Sequence, residues 1–134
     1  MTDVAIVAAK RTAIGTFSGA FSNVSADVLG TTAIQAALAS ASIDAADVSE
    51  LIFGQVLTAG QGQNPARQAA IRAGLPDTTP AYTINHVCGS GLKAVGLGAQ
   101  SILLGESEIV IAGGQENMTL APHCALLRAG VKMG

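Results

Sequence analysis

The sequence has no tryptophan, one tyrosine (Tyr82) and three phenylalanines, and its seven lysines and arginines are scattered along the chain. These shortages leave neither the basic patch nor the aromatic faces on which nucleic-acid binding rests. Charge of either sign is scarce. Charged residues make up 12% of the chain, roughly half of ordinary usage, against 49% hydrophobic residues and a net charge of -2. A chain so apolar is expected to hide part of its surface against other subunits or against a further part of the same protein. There are only two cysteines. The start, "MTDVAIVAAKRT", carries an acid before its apolar run and a basic pair after it, the reverse of a secretory signal. A cytoplasmic location is therefore expected, with the cysteines as thiols rather than a disulfide. No apolar run is long enough to cross a bilayer, so no membrane partner is expected.

A chain of 134 residues is one domain's worth and buries about two thirds of its unfolded surface. Along it, short β-branched runs alternate with helical patterns. "DVAIVAA" (3–9) is continuous and rich in Val and Ile, as in a strand covered on both faces. Residues 25–41 place Val28, Leu29, Ala33, Ala36 and Ala37 at helical spacing, with Ser25 as N-cap. "ELIFGQV" (50–56) predicts a second strand and "TAGQGQNP" a loop, with Pro65 in the first turn of a helix through Arg72. A third strand at 81–85, a third helix at 89–104 and a fourth strand at 108–114 follow. This order predicts an α/β fold with parallel pairing and right-handed crossovers. The third helix has Leu92, Val95, Leu97, Ile102, Leu103 and Leu104 nearly all round it, which predicts burial on most sides.

Cys88 lies where the third strand hands over to that helix, in "NHVCGSGLKAV" (85–95). The free N–H groups and the positive end of the helix dipole meet there, a setting that favours a thiolate. Gly89 and Gly91 permit a tight turn and leave room for a substrate beside the sulfur. Strand-to-helix turns are also where nucleophiles are commonly displayed. The plain alternative is a buried structural thiol, since free cysteine is among the most buried residue types. Cys124, beside His123 and after Pro122, has no comparable setting and reads as structural.

Other chemistries fit less well. "GSGLKA" matches a dinucleotide-binding pattern, with Glu116 as the ribose-binding acid, but the acid falls beyond the usual spacing and the motif does not follow the first strand. His86, Cys88, His123 and Cys124 offer four zinc ligands without the pair spacing of zinc sites. "GQGQNPARQ" lacks the Gly-Lys-Ser/Thr ending of a phosphate loop, so a turn and helix start is the better account.

"NHVCGSGLKAV" resembles the nucleophile segment of the thiolases. "RTAIGTF" (11–17), "GQGQNPARQAA" (60–70) and "AGGQENMTLAPH" (112–123) agree with that family in order and spacing. The wording is nearest that of the biosynthetic acetyl-CoA acetyltransferases, and the resemblance covers essentially the whole chain. It implies a thiolase-like fold, a mostly parallel mixed sheet with crossover helices forming the first βαβαβαβ half. Residues 1–115 would be the N-terminal domain and 116–134 the start of an inserted loop domain, with the final strand of the half missing. It implies Cys88 as the acyl-thioester nucleophile, with its backbone N–H as an oxyanion donor. The reaction implied is condensation of two acetyl-CoA to acetoacetyl-CoA and CoA, and its reverse. Coenzyme A thioesters would be substrates, with no cofactor and no metal. The implied partners are further copies of the chain, as a dimer of dimers, and a C-terminal part of the same enzyme carrying the remaining catalytic His, Cys and Asn. The other classes weighed are a decarboxylating ketoacyl synthase and a non-catalytic thiolase-like lipid carrier.

Overall fold

The computed structural model describes residues 3–125 and residue 127. The first helix, α1 (Ala26–Ala41), starts after Ser25, whose backbone carbonyl accepts from the N–H groups of Val28 and Leu29. The Ser25 hydroxyl makes no cap bond, so only the position of the expected cap is realised. A single 3-10 turn (Ala45–Asp47), capped by the Asp44 side chain, leads into β1 (Glu50–Gly54). Helix α2 (Pro65–Ala73) has Pro at its first position, where the missing N–H costs nothing, and the Asn64 side chain accepts from Arg67 N–H at 3.2 Å. Then come β2 (Ala81–Ile84), α3 (Ser90–Leu103), β3 (Val110–Gly114) and a 3-10 turn at Met118–Leu120.

The three strands form a parallel sheet in the order β2-β1-β3. Leu51 pairs with Ala81 on one side and Ile111 on the other, and Gly54 with Ile84 and Gly114. Because β1 is central, Leu51, Ile52 and Phe53 are all buried, as a continuous apolar run should be between two covering layers. Leu51 and Phe53 point to the face covered by α1 and α2, where Ile34, Ala66, Ala69, Ala70 and Leu75 complete the core. At Asp27, 7% exposed on α1, a carboxylate meets Arg72 of α2 at 2.6 Å and ties the two helices together.

Two expectations are corrected. Residues 3–9 form no strand, and Ile6 and Val7 are 77% and 68% exposed. A strand exists only where a neighbour accepts its ladder bonds, and no described segment pairs with this one, so the described order begins with α1 and the expected leading β is lost. The second concerns which face α3 turns to the sheet. Leu92, Leu103 and Leu104 are 79%, 56% and 74% exposed, while the buried positions are Ser90, Ala94, Gly98 and Ser101. The helix lies against β1 and β3 by its small residues. A Cβ on Gly98 would come within 2.9 Å of Val110 Cγ1, and one on Gly54 would collide with Ser90 Cβ. Hydrophobicity alone pointed the bulky side chains inward, whereas close approach of helix to sheet selects the small ones.

Residues 116–120 return to the body of the domain. The Asn117 side chain donates to the carbonyls of Phe21 and Val24 at 2.8 and 2.7 Å, and Ser18 N–H donates to Thr119 Oγ1 at 2.9 Å. Residues 126 and 128–134, the remainder of the segment expected to open an inserted domain, lie outside the described residues.

Candidate active site

The turn from β2 to α3 is short and held from both ends. Asn85 Oδ1 accepts from Val87 N–H at 2.9 Å, Gly89 N–H donates to His86 C=O at 3.1 Å, and Ser90 N–H donates to Val87 C=O at 3.1 Å. The Ser90 hydroxyl accepts from His86 N–H at 2.7 Å and donates to Val87 C=O at 2.6 Å. Within this lattice Val87 has φ +51°. A β-branched residue in the left-handed region is a genuine outlier, costing about 1–3 kcal/mol that the surrounding contacts must offset. The next residue is Cys88.

Cys88 is a free, exposed thiol two residues ahead of the first helical residue of α3, with Gly89 as N-cap. This is the strand-to-helix position expected for it, and within this chain the thiol is exposed rather than buried. Among the described residues no acceptor takes the Cys88 N–H. An open pocket of about 410 Å³ along β2 is lined by Gln55, Thr58, Asn64, Tyr82, Thr83 and Asn85 among others, and Cys88 does not line it. Asn85 thus joins that cavity to the turn. Burial, and then the neighbouring Glu50 carboxylate, push the Tyr82 phenol above its ordinary range.

The structure does not gather the other candidates into a site. His86, His123 and Cys124 are all exposed, and Cys124 Sγ has only the Pro122 carbonyl at 3.9 Å. No group of three or more metal-ligating side chains occurs among the described residues. Glu116 is built into the sheet end: its Oε2 accepts from the N–H groups of Val56 and Leu57 at 2.8 and 3.2 Å, and its Oε1 is buried without a partner among the described residues. The "GQGQNP" stretch is a turn and helix start. Gln68 Nε2 donates to the carbonyls of Gln61 and Gln63 at 2.6 and 2.9 Å, and Thr83 Oγ1 accepts from Ala66 N–H at 3.0 Å.

Residue patterns alone did not single out the amides beneath the turn. Gln55, 2% exposed, and Gln115, 7% exposed, are bonded to each other at 2.9 Å, and Gln115 also donates to Pro65 C=O at 3.2 Å. Gln55 Nε2 donates to Gln61 Oε1 at 2.6 Å. Together with Glu116 they splice the ends of β1 and β3 to the 58–64 loop, fixing the platform on which α3 begins. The signal was available as amides placed just after two strands in a chain short of charged side chains.

With this geometry stands a family match: the model described as the thiolase N-terminal domain covers residues 4–134. The chain belongs to the thiolase family. The parallel α/β architecture agrees with what the resemblance implied. The thiolase chain is 61% identical to a protein named acetyl-CoA acetyltransferase from Chromobacterium violaceum, over 98% of this chain and 34% of that one. It is 60% identical to one of the same name from Cupriavidus necator, over 100% of this chain and 34% of that one. To a Rattus norvegicus protein named cytosolic acetyl-CoA acetyltransferase the identity is 59%, over 98% and 33%. The chain spans about a third of the length of these curated relatives.

Proposed function

We propose that the protein containing this chain is an acetyl-CoA C-acetyltransferase in which Cys88 is the nucleophile. The observation that carries this reading is an exposed thiol on a strained strand-to-helix turn, in a chain 55–61% identical to proteins of that name. The Cys88 thiolate attacks the thioester carbonyl of acetyl-CoA, and the Cys88 N–H with the start of α3 receives the developing oxyanion. CoA leaves as its thiolate and takes a proton, giving an acetyl-cysteine. A second acetyl-CoA, deprotonated at its methyl carbon, attacks the acetyl carbon. Acetoacetyl-CoA is released and the Cys88 thiolate regenerated. The reverse sequence is thiolysis of acetoacetyl-CoA. The base for the second half-reaction is supplied from beyond this chain, which contributes the nucleophile, and no cofactor is required. The exposed apolar side chains of Ile6, Val7, Leu92 and Leu104 support burial against the rest of the enzyme and within a homotetramer. A cytoplasmic location accords with the name of the rat relative.

The test uses the full-length protein and acetyl-CoA, quenched and digested for peptide mass spectrometry. An acetyl group on Cys88, and loss of acetoacetyl-CoA formation in Cys88→Ser with acetyl-CoA binding retained, are the expected results. Condensation at the wild-type rate by Cys88→Ser would remove the nucleophile role. Acetylation without any condensation would point instead to a carrier. Faster iodoacetamide labelling of Cys88 than of Cys124, with protection of Cys88 by acetyl-CoA, is expected of an activated thiol.

A further inference from the structure

We infer that Ser90 is a positioning residue for Cys88, acting through the backbone of Val87; this rests on the nucleophile reading of Cys88. Val87 carries the φ of +51° that turns the chain sharply enough to present the next residue outward. Its N–H is held by Asn85 Oδ1, and its carbonyl by both the N–H and the hydroxyl of Ser90. The same hydroxyl accepts from His86 N–H, so one oxygen bridges the residues on either side of the Val87 N–H. Ser90 is 4% exposed and its Cβ abuts the backbone of Gly54 in the central strand. That contact seats the clamp directly against the central strand of the sheet.

Without the hydroxyl, Val87 loses a carbonyl partner and His86 an acceptor, while the steric preference of a β-branched residue for negative φ persists. Relaxation of Val87 rotates the following peptide unit. That unit bears the Cys88 N–H, the group left without an acceptor among the described residues. Ser90 therefore holds thiol and oxyanion donor in one orientation without touching substrate. A hydroxyl serving only to cap the helix would have no such dependence on residue 87.

The dependence is the test. In the full-length enzyme, rapid-quench acetylation of Cys88 by acetyl-CoA is measured for wild type, Ser90→Ala and Ser90→Ala/Val87→Gly, with thermal melting of each. Loss of the two hydrogen bonds that the hydroxyl makes predicts acetylation slowed by about tenfold or more in Ser90→Ala, with acetyl-CoA affinity unchanged. Glycine takes positive φ without steric cost, so the double variant should regain at least about threefold of that loss, whatever its melting point does. Wild-type acetylation by Ser90→Ala, or no recovery on adding Val87→Gly, overturns the inference. If Ser90→Ala does not fold, the double variant decides. A folded, acetylating double variant supports the clamp, and an unfolded or inert one overturns it. Should the wild-type enzyme carry no acetyl group on Cys88, the nucleophile reading fails first. If it does, and Ser90→Ala matches it, only the role of Ser90 falls.

Discussion

A methyl group added to Gly54 should be among the most damaging small changes in this chain. The new Cβ would collide with Ser90 Cβ and lie 2.5 Å from Ser90 C and 2.7 Å from Gly91 N. Carbon contacts relax at about 3.5–4.0 Å, so the first turn of α3 would have to retreat by roughly 1 Å. The obstructing atoms are largely backbone and cannot rotate aside. The expected cost is at or above the upper end of the overpacking range, about 3 kcal/mol, and it falls on the turn that carries Cys88. Gly96 is the internal control, since a Cβ there meets nothing within 4 Å and it lies within α3. Gly96→Ala should stabilise by about 1 kcal/mol through helix propensity alone. Urea unfolding followed by circular dichroism gives both values from the same midpoint and slope. A Gly54→Ala variant as stable as wild type, or a Gly96→Ala variant destabilised as much as Gly54→Ala, would refute close packing of α3 on β1.

Glu116→Ala removes the acceptor of the Val56 and Leu57 N–H groups and should cost about 2–3 kcal/mol, whereas Glu116→Gln, which keeps one acceptor oxygen, should cost about 1 kcal/mol. Equal losses in chemical unfolding would show that the hydrogen bonds to the β1 exit are not what the side chain supplies. Tyr82 is the single tyrosine, so the tyrosinate absorbance of the chain reports it alone. Its midpoint should lie above 10.0 when folded, first from burial and then from Glu50, and should drop part of the way in Glu50→Gln. With the folded pKa raised, the stability linked to the neutral phenol is complete below pH 10.0 and is lost as pH rises through the folded value. A folded midpoint at or below that of the urea-unfolded chain would contradict this.

Local signals carried the parts of the fold that depend on local physics. Pro65 marks the start of α2 because a missing N–H is harmless only in the first turn, while the capping Asn64 amide emerges from the structure. Cys88 is placed by its neighbours, since the strand "AYTI", the short "NHVCG" link and the helical run after it put it at a strand-to-helix turn. Residues 3–9 failed for the opposite reason: their Val and Ile content is that of a strand, yet pairing depends on a partner distant in sequence. In α3 the inward face was misread because Ser90, Ala94 and Gly98 carry almost no hydrophobic signal. What places them there is the distance between backbones, a quantity no residue scale contains. The strain at Val87 was equally hidden, since nothing in a valine announces a positive φ.

The three-stranded sheet also has a valence. Among the described residues β2 and β3 each pair on one side only, and neither "AYTI" nor "VIAGG" contains a charge or a proline. Edges of that kind are templates for further strands, and natural sheets ordinarily blunt them with charged residues, proline or a cover. With one open edge at each end, a solitary copy is bifunctional. Its self-association would run on into linear polymers, where a single sticky edge would stop at a pair.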